Sequence, residues 1–97
     1  MFRHIVGINL RYENGDPGIA EFFNAAEESL GKVPQVKSYS HYRIENPESG
    51  FQYGFVLDFE SKDAWMEYND HPYSLKFTED YWDKYVTGYT VYNFIPL

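Results

Sequence analysis

Three histidines and an unusually large set of tyrosines are the side chains with chemistry to offer in this chain. An imidazole, with a pKa near 6.5, is well matched to taking or giving a proton at neutral pH. His4 lies in the first apolar stretch. His71 lies in the run Tyr68-Asn69-Asp70-His71-Pro72-Tyr73-Ser74, with a phenol three residues before it and a serine three after. A base beside hydroxyl donors suits proton transfer on a substrate whose oxygen gains charge. Each residue also has a structural role open to it. His4 shares a strand face with Val6, Ile8 and Leu10, where a buried histidine with one hydrogen-bond partner is the ordinary outcome. His71, beside Asp70 at a His-Pro step, suits a turn that closes a helix, where the dipole favours an imidazole. Tyr68 and Tyr53 suit a core in which rings are buried and hydroxyls tethered. Phe22, Phe23 and Phe55 supply the apolar wall, and Tyr73, Phe77 and Trp82 either cover it as a lid or pack over the core edge.

Other chemistries lack their residues. The chain has no cysteine, which excludes disulfides, zinc–thiolate sites and thiol catalysis. No H-E-x-x-H pair or EF-hand spacing supports a metal, and no G-x-G-x-x-G, Walker A or G-x-S-x-G motif supports a nucleotide cofactor or a serine elbow; neither metal nor cofactor is expected. Asp58 and Glu60 flank Phe59 as solvated neighbours. Eight Lys and Arg stand against fifteen Asp and Glu, and a net charge of -7 with no basic stripe argues against nucleic acid. Nothing approaches the roughly twenty apolar residues of a membrane helix, and MFRHIVGINL does not resemble a signal peptide. A soluble, cytoplasmic protein is expected.

The elements that must position these residues follow from periodicity and punctuation. Residues 1–97 read as one domain. Phe2 to Leu10 alternates as a strand, with Phe2, His4, Val6, Ile8 and Leu10 on one side. Asp16-Pro17 caps and opens a helix to about Leu30, whose stripe is Ile19, Phe22, Phe23, Ala26 and Leu30. Gln35 to Ile44 reads as a mixed-polarity edge strand, and Asn46 to Gly50 as a turn. Phe51 to Phe59 is the strongest strand. Ser61 caps a short helix in which Ala64, Trp65 and Tyr68 turn inward, and His71-Pro72 ends it. Residues 73–85 read as a loop with one or two helical turns, and Val86 to Ile95 as the last strand.

The order β-α-β-β-α-β is the ferredoxin-like pattern of an α+β protein: a four-stranded antiparallel sheet with both helices on one face. Simple alternation places Ile5, Gly7, Val56, Tyr89, Val91 and Ile95 on the face away from the helices. So apolar a face calls for a cover, and a second copy packed sheet to sheet supplies one, through Ile5, Val56, Tyr89 and Val91. The expected partner is therefore a second copy of the chain, giving a homodimer that resembles a barrel. The ten Tyr, eight Phe and two Trp, twenty-one per cent of the residues, fit both an aromatic core and a buried surface.

Four motifs in order resemble the Dabb family, the stress-responsive α/β-barrel domain: His4-Ile5-Val6, Val33-Pro34-x-Val36, Gly54-Phe55-Val56-Leu57-x-Phe59-Glu60-Ser61 and Tyr68-x-x-His71-Pro72. The resemblance spans nearly the whole chain. It implies a ferredoxin-like protomer, a sheet-to-sheet dimer forming an α/β barrel, and no established activity for most members. One plant member is a polyketide cyclase that works between sheet and helices with a tyrosine and a histidine. The tyrosine falls on Tyr68, while Ser74 stands where that histidine would be, and a serine hydroxyl is a poor base near neutral pH. Two readings stay open. The first is a homodimer of structural or small-molecule-binding role, holding a small apolar molecule beside Tyr53, Phe22, Phe23, Phe55 and Ser74. The second is a small enzyme on an apolar carbonyl substrate, with His4 as base or polariser and Tyr68 and Tyr53 as donors to an enolate oxygen. A cofactor-free monooxygenase is a third reading, by analogy of fold alone.

Overall fold

The computed structural model describes residues Met1–Leu97. Its centre is β1 (Phe2–Leu10), where Phe2, His4, Val6, Ile8 and Leu10 form one buried row. β1 pairs antiparallel with β3 (Tyr53–Phe59) on one side and β4 (Val86–Phe94) on the other; β2 (Ser38–Arg43) flanks β3, giving the order β2-β3-β1-β4. The buried rows of β1 and β3 meet the apolar stripe of α1 (Pro17–Ser29) and the inward residues of α2 (Lys62–Asp70) and α3 (Pro72–Phe77) in one core. This is the expected ferredoxin-like arrangement. The core is aromatic: Phe22, 0 % exposed, meets Phe23 and Phe77 edge to face at 5.2 and 5.4 Å, the geometry in which a ring's positive rim faces its neighbour's negative face.

Local chemistry explains the element ends. The Asp16 carboxylate accepts the Gly18 N–H at 2.7 Å and Pro17 opens α1. The Ser61 hydroxyl accepts the Ala64 N–H at 3.2 Å and opens α2. α2 stops at Asp70 because His71, held extended before Pro72 with ψ 139°, cannot continue it. Gly50 takes a left-handed φ of 80° as the chain leaves the turn Pro47–Ser49 for β3, a conformation that costs other residues energy. β2 starts later than expected, at Ser38, because the Val36 N–H bonds the Val33 carbonyl in a turn at 2.9 Å.

Two stretches depart further from the sequence reading. Residues 73–85 are helical rather than mostly loop: α3 runs into wide π turns over Thr78–Trp82 and a last turn, α4 (Asp83–Tyr85). Phe77 drives this by docking on Phe22 and stacking on Tyr81 at 5.6 Å, with a Lys76–Asp80 ion pair at 3.0 Å on the outside.

The second departure is in β4. Leu10 pairs with Val86 and Asn9 with Gly88, so Thr87 is an extra residue in β4 and forms a bulge. One extra residue reverses which side chains point where. Beyond it, Tyr89, Val91 and Asn93 stand opposite Ile8, Val6 and His4 on the helix side, while Thr90, Tyr92 and Phe94 stand opposite Gly7, Ile5 and Arg3 on the open face. The expected placement of Tyr89 and Val91 on the open face is corrected accordingly. Ile5 and Val56 are cross-strand neighbours on the open face, but Tyr89 and Val91 face the helices, and Tyr92 and Phe94 take their place outside.

Candidate functional site

Between the helix side of β1 and β4 and the overlying α2 and α3 lies a cleft of about 210 Å³, walled by Val6, Leu30, Phe55, Phe77, Trp82 and Val91. Trp82 and Tyr89 meet edge to face at 5.5 Å along its rim. Its polar members are His4, Tyr68, Asn69, Ser74, Thr78 and Tyr89. A larger hollow of about 550 Å³ at the β2–β3 turn is lined by Asn14, Arg43, Glu45, Gln52 and Tyr53 among others, and it contains no histidine.

His4 enters the cleft from the middle of β1, directly across from Asn93 on β4. Its Nδ1 lies 2.6 Å from the Asn93 Oδ1. A carbonyl oxygen only accepts, so Nδ1 carries the proton and Nε2 keeps its lone pair. The ring is 9 % exposed and sits 5.6 Å from Trp65 and 6.4 Å from Tyr68, centroid to centroid. Burial among these rings lowers its pKa below the ordinary imidazole value, and the bond to Asn93 opposes that in part. His4 is thus held towards its neutral form, with Nδ1 bonded to Asn93.

Tyr68 reaches the cleft from α2 and packs its ring on Phe59 at 5.1 Å. Burial raises its pKa well above the ordinary phenol value, so the hydroxyl stays protonated and can donate. Ser74 lies on α3, 6 % exposed, and its Oγ has no partner in the protein. Leaving a hydroxyl buried and unpaired costs about 1–3 kcal/mol. Four sequence candidates, His4, Tyr68, Phe55 and Ser74, therefore line one cleft.

The others lie elsewhere. Phe22 and Phe23 are core, with Phe23 packed on Tyr53 at 5.5 Å and on the His41 ring at 5.0 Å. His71 links α2 to α3, its Nδ1 accepting the Tyr73 N–H at 3.1 Å. Asp58 belongs to the open face, where Arg3 bonds it through Nε at 2.8 Å and Nη2 at 3.1 Å, and this pairing with Arg3 lowers its pKa. Asn93 was not among the candidates, because uninterrupted alternation points it away from the helices. The signal that locates it is Gly88, a glycine inside a strand pattern, which marks a bulge. No three His, Asp or Glu side chains gather to hold a metal ion, and no helix is long and apolar enough to cross a membrane.

Fold and cleft together define a ferredoxin-like α+β protein with a small, mostly apolar space between sheet and helices. The sequence profile of the stress responsive A/B barrel domain matches residues 2–96, and the chain belongs to this family, Dabb. No curated protein sequence matches it. Among solved structures it is similar to a Dabb protein with a ferredoxin-like fold from Mesorhizobium loti, at 26% identity and a TM-score of 0.95, covering 99% of this chain and 96% of that one. A dimeric ferredoxin-like protein of unknown function from Thermobifida fusca is 17% identical, with a TM-score of 0.79 and coverage of 98% and 90%. The hydroxynitrile lyase of Passiflora edulis is 18% identical, with a TM-score of 0.83 and coverage of 99% and 93%. At these last two identities the likeness is one of fold.

The state of His4 has a measurable consequence. Its folded pKa is depressed, so the unfolded chain, with an ordinary imidazole near 6.5, binds the proton more tightly. Stability is therefore full above about pH 6.5 and declines as the pH falls towards the folded pKa. Urea unfolding at steps from about pH 8 to pH 5 is expected to show this decline in the native protein and not in His4→Gln. Equal slopes in the two proteins would contradict a neutral, buried His4.

Proposed function

We propose that the protein is a homodimer that holds a compact apolar molecule in the cleft under α2 and α3. The observation that carries this reading is the cleft itself: a mostly apolar space of about 210 Å³ lined by His4, Tyr68 and Ser74, with the buried Ser74 Oγ left without a partner in the protein. Ligand sites are generally mostly apolar with a few such groups, and this volume, below the usual range for drug-sized molecules, selects a small one. In an NMR titration with acetophenone, the signals of His4, Tyr68 and Val91 are expected to shift together and saturate, while those of Arg43 and Glu45 at the larger hollow stay still. Absence of a saturable shift at the cleft would refute the reading.

The dimer is supported by the open sheet face. Ile5 and Val56 lie half-buried at its centre, with Tyr42, Tyr92 and Phe94 58, 57 and 53 % exposed around them. Such a patch is rarely left bare on a monomer, and the Thermobifida fusca relative is dimeric. Because Tyr92 and Val91 are adjacent residues on opposite faces, they make a paired test. Tyr92→Asp buries an unpaired charge in the interface and is expected to weaken association by at least about a hundredfold, whereas Val91→Asp leaves the mass dimeric. Sedimentation of both variants reads the result, and the reverse pattern would place the interface on the wrong face.

The His4–Asn93 bond favours a second, enzymatic reading. A neutral imidazole with its proton held at Nδ1 is a base at Nε2, suited to removing a proton beside a carbonyl while Tyr68 donates to the enolate oxygen. On this reading the native protein catalyses deuterium uptake at the methyl group of acetophenone, and His4→Gln and Asn93→Leu each lower the rate at least about tenfold. A rate in the native protein no greater than that of buffer would exclude it.

A further inference from the structure

Ser74 is the third residue of α3, and its hydroxyl has no partner in the protein. A serine inside a helix can bond back to the carbonyl one turn earlier. Here the residue four back is Asp70, the last of α2, beyond the extended turn at His71. The carbonyl three back, that of His71, accepts the Leu75 N–H at 3.1 Å and takes no bond from the Ser74 hydroxyl. The Thr78 hydroxyl turns to the Ser74 carbonyl, at 3.0 Å, and not to the Ser74 hydroxyl. What remains on this wall is a buried hydroxyl with nothing to bond, on a residue that lines the cleft. Buried polar atoms are nearly always satisfied, and an exception calls for a partner that the protein alone does not contain.

The charge character of the cleft narrows that partner. No Lys, Arg, Asp or Glu lines it, and the Lys76–Asp80 pair on the same helical segment neutralises itself in solvent. A carboxylate, a phosphate or an ammonium group placed here would lose its hydration with no opposite charge in return, which is strongly unfavourable. An uncharged oxygen acceptor loses little and gains the idle donors. Phe55, Phe77 and Trp82 offer ring surfaces for an apolar body. We propose that the cleft is selective for uncharged carbonyl compounds and that the Ser74 hydroxyl holds the carbonyl oxygen. This rests on the cleft being the binding site, and it makes Ser74 the residue that sets specificity, distinct from the base at His4.

Four probes of nearly one shape test it: acetophenone, α-methylstyrene (the same skeleton without the oxygen), benzoate and benzamidine. Dissociation constants at neutral pH are expected to place acetophenone tightest, with benzoate and benzamidine at least about tenfold weaker. In Ser74→Ala the advantage of acetophenone over α-methylstyrene should shrink about three- to tenfold, the share of one hydrogen bond. The hydrocarbon's own affinity should stay unchanged, and so should the melting temperature or it should rise, because the variant removes an unsatisfied group. Benzoate binding as tightly as acetophenone, or an unchanged ketone-to-hydrocarbon ratio in Ser74→Ala, would overturn the assignment while leaving the cleft a binding site. Failure of all four probes to bind would overturn the cleft reading itself and this assignment with it.

Discussion

A single extra residue in the last strand decides what both faces of this sheet are for. Thr87 has no partner on β1, and from Gly88 onwards every side chain of β4 points to the side opposite from the one that plain alternation gives. Asn93 is thereby brought against His4, and Val91 and Tyr89 against the space under the helices, while Tyr92 and Phe94 are turned to the open face. Were Thr87 paired with Asn9 in unbroken alternation, Tyr92 rather than Asn93 would stand opposite His4, and the cleft would lose the wall that Tyr89 and Val91 supply. The chemistry of the site depends on a backbone irregularity several residues from the atoms that would do it.

The opposite wall depends on a different constraint, the extended His71 before Pro72. By breaking the helix there, the chain starts α3 afresh and places Ser74 in its first turn, with its hydroxyl unpartnered. The same break lets His71 cap α3 through Nδ1. His71, the histidine nearest to Tyr68 in sequence, therefore serves the backbone, while the histidine that meets Tyr68 in space comes from β1, more than sixty residues away. Aromatic packing holds these pieces in register: Phe59 seats Tyr68, Trp65 covers both Phe2 and His4, and Phe77 ties α3 to Phe22.

Much of this was legible before the structure. Alternation over Phe2–Leu10 and Phe51–Phe59, the Asp16-Pro17 and Ser61 caps and the His71-Pro72 stop are local signals, and they locate β1, β3, α1 and α2 to within a few residues. His4, Tyr68 and Phe55 could be named because they sit on such elements, and Ser74 because the family resemblance marks its position. The parity of β4 was not legible from period-two counting, because a bulge is a pairing event between two strands and only Gly88 hints at it. The helical course of residues 73–85 depends on Phe77 and Tyr81 finding Phe22, a long-range contact. Whether Phe22 and Phe23 line a space or fill one is a question of volume, and their rings fill the core, while Tyr53 packs on Phe23 and borders the hollow at the β2–β3 turn.

The two walls share a property that bears on how such a site diversifies. The π turns over Thr78–Trp82 carry one more residue per turn than an α-helix does, and the bulge at Thr87 carries one more residue than its partner strand. Both irregularities lie in one stretch of ten residues, and each aims a cleft residue, Trp82 in one case and Val91 in the other. If Thr87 were paired in a regular strand rather than bulged, everything downstream in β4 would turn to the other face while β1, β3 and the core stayed untouched. How the chain absorbs its extra residues in this short stretch is thus a coarse dial for the shape of the cleft, and substitution is the fine one. Related chains that absorb the same length here in a regular strand would share the scaffold and differ in what they hold.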